Sequence, residues 1–353
     1  MFNSIDKIIE DFPEELTGTS ATPAADHLFN VRDEAEGKLL PEEKARIFHR
    51  FVARLLFVST RPRRDIQTAV SFLTTRVKKP DEDDWGKLKR VIKYLKKTRR
   101  LKLTLSVDSL NTIKWYVDGS HNVHWDCKGH GGAMMTVGEG AVSSYSRKVK
   151  LNTRSSTETE LVTADAYMPE MLWSLHLILA QGYGVEHVEL FQDNISAQML
   201  ETNGSFSSSK KTKHIKAKFF FIKDRIEDGE IKVVDCPTES MWADIMTKPL
   251  QGMPFKVQRS KLMNCAVDYS EEDEPTKSRE QQEKKAKQLP KPSNKQKTLA
   301  GRRHSLHLGK PSQECVGDRP FSRVLGGKAR LVGGNTRGNG AWRRVRGTRA
   351  AME

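Results

Sequence analysis

The sequence is poor in cysteine and aromatic residues, and it has no long hydrophobic run. Its four cysteines, Cys127, Cys236, Cys265 and Cys315, are too few and too scattered for a disulfide framework or a structural zinc module. No stretch approaches the roughly 18 apolar residues that span a bilayer. The first 13 residues carry acids and lack the apolar segment of a signal peptide. These absences exclude disulfide-rich secreted and membrane-spanning proteins. They favour an intracellular protein, in cytoplasm or nucleus, without a membrane partner.

Positive charge is abundant, but its excess over negative charge is confined to one end of the chain. Residues 275–353 hold 20 Lys and Arg against 5 Asp and Glu, which accounts for the whole net charge of +15, so residues 1–274 are neutral overall. The segment also lacks apolar periodicity, and residues 301–353 hold ten of the 24 glycines. Such a composition does not offset the entropy of ordering. We therefore predict a disordered basic tail over 268–353, after domains at 1–110 and 111–267.

The first predicted domain, residues 1–110, is mostly helical. After a weak helix near the start, a helix is predicted from Pro41, which suits a first helical turn. Another is predicted from Asp65, and a third begins in the acid cluster at 81–84, where negative charge favours a helix N-terminus. One face of the third helix is basic. It is either a solvated face or a surface that follows a phosphate backbone.

Residues 111–267 predict an α/β domain with the element order βββαβααβα. Strands are predicted at 112–118, 132–137, 141–149, 187–192 and 230–235, and helices at 155–181, from 194, at 212–228 and after 237. Three antiparallel strands followed by alternating strands and helices indicate a mixed sheet covered by helices. Within the long helix, Trp173 and Leu177 are predicted to lie in the core.

Four carboxylates lie at positions that such a fold can bring together at one end of the sheet. Asp118 ends the first strand, Glu160 lies in the first turns of the long helix, Asp193 ends the fourth strand and Asp244 lies in the last helix. An acid at any one of these positions is more often a turn or cap residue. The prediction of a shared site therefore depends on the order and context of all four. Neighbouring strand ends can bring Asp118 and Asp193 together, which is costly for bare carboxylates. A divalent cation removes that cost, and hard oxygen ligands indicate Mg²⁺ or Mn²⁺.

Five motifs give this pattern a specific resemblance: Trp115-Tyr116-Val117-Asp118, the run from Leu151 to Leu161, Gln192-Asp193-Asn194, Thr212-Lys213-His214-Ile215 and Ala243 to Leu250. On these motifs, residues 112–265 resemble the ribonuclease H domain of a copia-type LTR-retrotransposon Pol polyprotein. Residues 17–105 resemble the end of the reverse transcriptase in the same polyprotein, through residues 21–29, 65–70 and 85–95. The tail has no recognisable counterpart.

The resemblance implies a ribonuclease H-like fold, preceded by a thumb- or connection-like reverse-transcriptase remnant. It also implies hydrolysis of the RNA strand of an RNA–DNA hybrid with two Mg²⁺ ions. Asp118 would bridge both ions, Glu160 and Asp193 would hold the ion near the leaving group, and Asp244 would hold the ion that activates water. Glu158 competes with Glu160 for the helix position. The family motif places its ligand just before the leucine, which favours Glu160.

Supporting residues come from a basic, hydroxyl-rich stretch and from the position after Asp193. The predicted nucleic-acid contacts are Ser208, Lys210, Lys211, Lys213, His214 and Asn194. Hydroxyl and lysine side chains commonly contact phosphates, but the same stretch is equally typical of a solvated loop. A packed or capping role is favoured for His214, and Asn194 is equally suited to cap a helix. The spacing of His124, Cys127 and His130 suits zinc, yet no second Cys/His pair accompanies it.

The sequence also departs from the family it resembles. The Tyr-x-Asp-Asp motif is missing, so no reverse transcriptase activity is expected, and the fingers and palm that should precede Met1 are absent. The family's Arg-Pro-Asp-Ile becomes Arg63-Arg64-Asp65-Ile66, which loses a helix-starting proline. The expected partners are an RNA–DNA hybrid and the rest of a reverse transcriptase. The alternative function is a catalytically idle, truncated retroelement remnant that at most binds nucleic acid.

Overall fold

A five-stranded mixed sheet lies at the centre of the protein. The structure is a computed structural model that describes residues 2–32, 38–203, 216–267 and 269, with 216–220 described in their backbone only. Its strands are β1 (Ser106–Val107), β2 (Thr112–Ser120), β3 (His130–Thr136), β4 (Gly138–Glu139), β5 (Ser143–Lys148), β6 (His187–Gln192) and β7 (Ile231–Asp235). The sheet order is β5-β3-β2-β6-β7; β2, β3 and β5 pair antiparallel, whereas β6 runs parallel to both β2 and β7. This confirms the predicted mixed sheet.

Helices flank the sheet on both faces. They are α1 (Phe2–Glu10), α2 (Glu42–Ser59), α3 (Gln67–Arg76), α4 (Glu82–Lys97), α5 (Ser156–Ala180), α6 (Ile195–Asn203), α7 (Lys216–Glu227), α8 (Asp244–Thr247) and α9 (Gly252–Met263). Side-chain hydrogen bonds fix where two of these helices begin: Asp81 and Asp84 form a capping box at α4, and Ser155 caps α5. Within the described ranges, no helix is long and apolar enough to cross a membrane.

Each face of the sheet has its own hydrophobic core. Along β2 the side chains of Ile113, Trp115 and Val117 alternate onto the face covered by α5, as the two-residue period of a strand requires. The other core joins α1 to α4 with α8, α9 and part of β3. The described chain therefore lies in one compact unit within Met1–Lys277. That unit contains both predicted segments, 1–110 and 111–267, and their boundary remains a prediction.

Two expectations about helices are wrong. The single helix predicted after Pro237 is a three-residue turn of 3₁₀ helix (Thr238–Ser240) followed by the separate helices α8 and α9. The break has a local cause: Pro249 disfavours the helical conformation in the residue before it, and Lys248 is extended (φ −119°, ψ 136°). Trp173 and Leu177 are not in the core, with exposures of 65% and 39%. Each is two positions from buried Leu175, which places it on the opposite side of α5.

A chain of buried polar groups runs across β3 and β5. His124 Nε2 lies 3.0 Å from His130 Nδ1, His130 Nε2 lies 2.8 Å from the Ser146 hydroxyl, and that hydroxyl donates to the Met246 carbonyl. Burial lowers the pKa of His124 to about 4 and that of His130 to about 3. Both imidazoles are therefore neutral at neutral pH. Cys127 is exposed, and no zinc-binding group of His124, Cys127 and His130 forms among the residues that can be described.

This histidine pair should make the fold sensitive to acid. Because both pKa values are depressed in the folded protein, the stabilisation is complete above the unfolded value near 6.5 and is lost as the pH falls towards 4. At about 1.36 kcal/mol per pH unit, each histidine should cost about 2 kcal/mol at pH 5. In His124→Gln, urea unfolding measured from pH 7.5 to 5 should show about half the wild-type pH dependence attributable to the pair. His176→Gln alters an exposed histidine and is the control; equal slopes in wild type and His124→Gln would contradict the assignment.

Candidate active site

Three acidic side chains meet at one end of the sheet. Tyr116 and Phe191 are the last residues paired with each other between the parallel strands β2 and β6. Asp118 and Asp193 each follow that pair by two residues, so they lie side by side at the same end of the sheet. Glu160 approaches from the first turns of α5. Carboxylate oxygens of Asp118, Glu160 and Asp193 all lie within 4.8 Å of one another. The structure thus brings three of the four predicted metal ligands together.

A glycine beside Asp118 permits this close approach. A Cβ added to Gly119 would lie 3.0 Å from the backbone carbon and oxygen of Thr159, so any larger residue would push α5 away from β2. Glu158, the competing acid, instead accepts a 2.8 Å hydrogen bond from the Arg154 amide at the start of α5. The arrangement therefore directs Glu160, and not Glu158, into the cluster.

The negative charges of the cluster are not fully balanced by positive charge nearby. Burial, followed by the charges of Asp118 and Asp193, raises the pKa of Glu160 well above its usual value. Burial and the charge of Asp118 also raise the pKa of Asp193. Glu160 Oε2 is buried and has no hydrogen-bond partner among the described residues. An all-carboxylate donor set with an orphaned oxygen fits a hard divalent cation such as Mg²⁺ or Mn²⁺.

The fourth acid, Asp244, lies at the edge of this cluster and pairs with a lysine. Lys248 Nζ is 2.6 Å from Asp244 Oδ1 and 3.7 Å from Asp118 Oδ1. Burial and the charge of Asp118 raise the pKa of Asp244 to about 6 despite this lysine. Burial opposes the charge of Lys248, but Asp118 and Asp244 outweigh it and raise the lysine's pKa. Asp244 therefore belongs to the same electrostatic system as the other three acids.

The short helix α8, which carries Asp244, is held by side chains from distant segments. Thr68 in α3 donates to the Ile245 carbonyl, and Ser146 in β5 donates to the Met246 carbonyl. The Thr247 hydroxyl donates in turn to Oδ2 of Asp118. A four-residue helix has little stability of its own. Its position, and with it that of Asp244, therefore depends on these tertiary contacts.

The other predicted contacts are placed only in part. Asn194 Oδ1 accepts from the Ala197 amide at 3.1 Å, so it caps α6, and it also lines an open groove of about 500 Å³ that contains Asp118, Glu160, Asp193 and Lys248. The remaining predicted nucleic-acid contacts, Ser208, Lys210, Lys211, Lys213 and His214, lie outside the described residues.

Sequence reasoning assigned no role to three residues that the structure places in or beside the cluster. Thr247 and Lys248 stand in the Ala243 to Leu250 motif, where their spacing from Asp244 (i+3 and i+4) was a usable signal. Glu201 in α6 is fully buried; burial raises its pKa to about 7, and its charge contributes to the raised pKa of Glu160. No local pattern distinguishes Glu201 from a surface glutamate.

Comparison with known proteins agrees with the motifs. The chain matches no protein-family model. It is similar to retrovirus-related Pol polyproteins from transposon RE2 of Arabidopsis thaliana (31% identity over 56% of this chain and 13% of the relative) and from transposon TNT 1-94 of Nicotiana tabacum (26% identity over 72% and 19%). The chain thus spans less than a fifth of the length of these relatives.

Solved structures with similarity to the chain include LC11-RNase H1 isolated from compost (18% identity, TM-score 0.30, covering 39% of this chain and 94% of that one). Another is a foamy viral protease-reverse transcriptase in complex with an RNA/DNA hybrid (14% identity, TM-score 0.34, covering 71% and 29%). The mixed sheet with helices on both faces has the element order predicted for a ribonuclease H-like fold. The curated homologues are retrovirus-related Pol polyproteins of plant transposons, which confirms the resemblance carried by the motifs.

Proposed function

We propose that residues 111–267 are the ribonuclease H of a copia-type retrotransposon polyprotein. The reaction is endonucleolytic hydrolysis of the RNA strand of an RNA–DNA hybrid, dependent on two Mg²⁺ ions or on Mn²⁺. One observation carries the proposal: carboxylate oxygens of Asp118, Glu160 and Asp193 lie within 4.8 Å of one another, and Glu160 has a buried oxygen with no hydrogen-bond partner among the described residues. Without a cation, the mutual repulsion of these carboxylates is unfavourable.

Four residues would hold the metal. Asp118 would contact both ions, Glu160 and Asp193 one of them, and Asp244 the other. Bound divalent ions would supply an activated water and stabilise the charge on the leaving oxygen. Thr247 fixes one oxygen of Asp118, and Lys248 offsets part of the negative charge shared by Asp118 and Asp244.

The groove around the acids suits a polynucleotide substrate. Its rim carries the side chains of Ser120, His121, Ser156, Asn194 and Ser196. Hydroxyl, imidazole and amide groups of this kind commonly contact phosphate and sugar oxygens. We also propose the rest of a reverse transcriptase as a partner, an intracellular setting, and no polymerase activity in this chain, since the Tyr-x-Asp-Asp motif is missing.

A second candidate is nucleic-acid binding without cleavage. The observation that favours it is Lys248, whose ammonium group already lies 2.6 Å from Asp244 and 3.7 Å from Asp118 and so competes for the place of a cation. An idle protein of this kind would bind a hybrid and leave it intact. The two candidates therefore differ in one measurable step.

Cleavage of an end-labelled RNA strand within an RNA–DNA hybrid tests the proposal. The full chain should cut the hybrid RNA when Mg²⁺ or Mn²⁺ is present, should spare single-stranded RNA, and should lose the activity in Asp193→Asn. Asp235→Asn, which changes an acid at the end of β7, is the matched control and should cut normally. Hybrid binding without metal-dependent cleavage would reject the enzyme in favour of the idle candidate.

A further inference from the structure

A second polar groove lies between α3 and β5, the edge strand of the sheet. It measures about 550 Å³. Among the described residues, its lining includes the cations Arg64, Arg147 and Lys148 and seven serine and threonine side chains, and it contains no carboxylate. This composition differs from that of the site above, where acids dominate. The groove therefore selects for an anion.

Two of its cations are not neutralised by any carboxylate of the described residues. Lys148 pairs with Asp126 at 2.8 Å, but neither Arg64 nor Arg147 has a carboxylate within salt-bridge distance in the part of the chain that the structure covers. The Arg64 guanidinium is held in place: Nη2 donates to the Val142 carbonyl at 2.7 Å and Nη1 to the Ser144 hydroxyl at 3.2 Å. Its Nε is buried without a partner among the described residues. A fixed guanidinium with unused donors loses little entropy when it binds an oxyanion.

The groove lies at the same end of the sheet as the carboxylates. Asp118 on β2 is matched with Gly132 on β3, and Gly132 is matched with Ser146 on β5. With strands about 4.8 Å apart, the Cα of Ser146 is about 10 Å from that of Asp118. Ser144, which Arg64 contacts, lies two residues further along β5. A nucleic-acid duplex carries one negative charge per about 1.7 Å of its axis, so a duplex in the active site presents phosphates over that span.

We propose that this groove binds the phosphodiester backbone of the nucleic acid that occupies the active site, with Arg64 as the principal contact. The proposal rests on the proposed function for the identity of its occupant. Arginine and hydroxyl groups without competing acids are typical phosphate contacts. Arg64 also replaces the proline of the family motif, so the contact is a feature of this chain.

An acidic peptide added to the sheet edge is the competing occupant. Strand addition needs free backbone groups along the edge. Here the Ser144 carbonyl already accepts from Gln67 Nε2 at 3.0 Å, and the Val142 carbonyl accepts from Arg64. Those two positions of the edge are therefore capped by side chains, which favours a ligand that is bound through its phosphates.

Binding of a fluorescent RNA–DNA hybrid to the full chain, measured by anisotropy in EDTA over a salt series, tests the groove separately from catalysis. In Arg64→Gln, the slope of log K against log salt should fall by about 1, and affinity should fall by about 3- to 10-fold at moderate salt. Arg64→Pro installs the family residue at the first position of the 3₁₀ turn Arg64–Ile66 and should show the same loss. Arg61→Gln removes the same charge from an exposed position outside the groove and should change neither value.

The outcomes separate the two proposals. If both Arg64 variants keep the wild-type salt slope and affinity, the groove assignment is overturned and the proposed function stands. The same holds if Arg64→Gln weakens binding only of a labelled polyglutamate peptide, which represents the acidic-peptide occupant. Absence of hybrid binding by the wild type would overturn the groove as well. A reduced slope in Arg64→Gln but not in Arg61→Gln, in a protein that cuts no hybrid, would support the groove and reject the enzyme.

Discussion

Asp118→Asn should abolish cleavage of hybrid RNA and, in the absence of metal, should make the protein more stable. Asp118 is the acid to which the others are coupled, since its charge contributes to the raised pKa values of Glu160, Asp193 and Asp244. The loss of activity should be on the order of 10³-fold, the effect of removing one group that stabilises a transition state. Asparagine retains an oxygen that can accept from Thr247, so the local packing should survive.

The gain in stability follows from the sign of the pKa shifts. Acids with raised pKa values favour the folded state when protonated, and that stabilisation is lost as the pH rises; for Asp244 the window runs from about 3.8 to about 6. At pH 8 without metal, removing the Asp118 charge should therefore add about 1 kcal/mol or more. Added Mg²⁺ should stabilise the wild type at pH 8 and have little effect on the variant.

Thermal unfolding with EDTA or Mg²⁺, at pH 5 and pH 8, measures this beside the cleavage assay. Asp228→Asn, at an exposed acid that pairs with Arg225, is the matched control and should leave both activity and the metal response unchanged. An Asp118→Asn protein that cuts hybrid at the wild-type rate, or that is less stable than the wild type without metal, would contradict this account of the site.

The parts of this fold that follow from local pattern were predictable. Ile113, Trp115 and Val117 alternate along β2 because one face of the strand is buried, and the order of strands and helices fixed which strand ends could converge. The sequence alone therefore indicates that Asp118 and Asp193 lie close together. Their role as metal ligands is still a prediction.

Contacts between residues that are far apart in the sequence were not predictable. Thr247 contacts Asp118 across 129 positions, and Thr68 holds the Ile245 carbonyl across 177. No periodicity records such contacts. Trp173 is predicted to lie in the core but is exposed, because the face of α5 that packs on the sheet is decided by tertiary contact. The break before Pro249 does have a local signal, because a proline disfavours the helical conformation in the residue before it.

Asp65→Ala should destabilise the protein by about 3–5 kcal/mol, the cost of leaving a buried charge without its partner. The side chains of Arg63 and Asp65 are both 0% exposed and form two parallel hydrogen bonds, of 3.0 and 2.8 Å. Tyr94 in α4 donates to the same carboxylate at 2.6 Å, and Arg259 in α9 donates to the Tyr94 hydroxyl at 3.3 Å. Burial alone would raise the pKa of Asp65, but Arg63 outweighs it and lowers that pKa, so the carboxylate stays ionised.

Urea unfolding at pH 7 measures the effect. The control is Glu42→Ala, which breaks the exposed Glu42–Arg46 pair and should change stability by no more than about 0.5 kcal/mol. The double variant Arg63→Met/Asp65→Leu removes both charges and should recover much of the loss. Since the network joins α4 to α9, Asp65→Ala should also speed amide hydrogen exchange in both helices together. A loss below about 1 kcal/mol, or faster exchange in α4 alone, would show that the amino-terminal helices are not coupled through this network to the helix that follows the active-site segment.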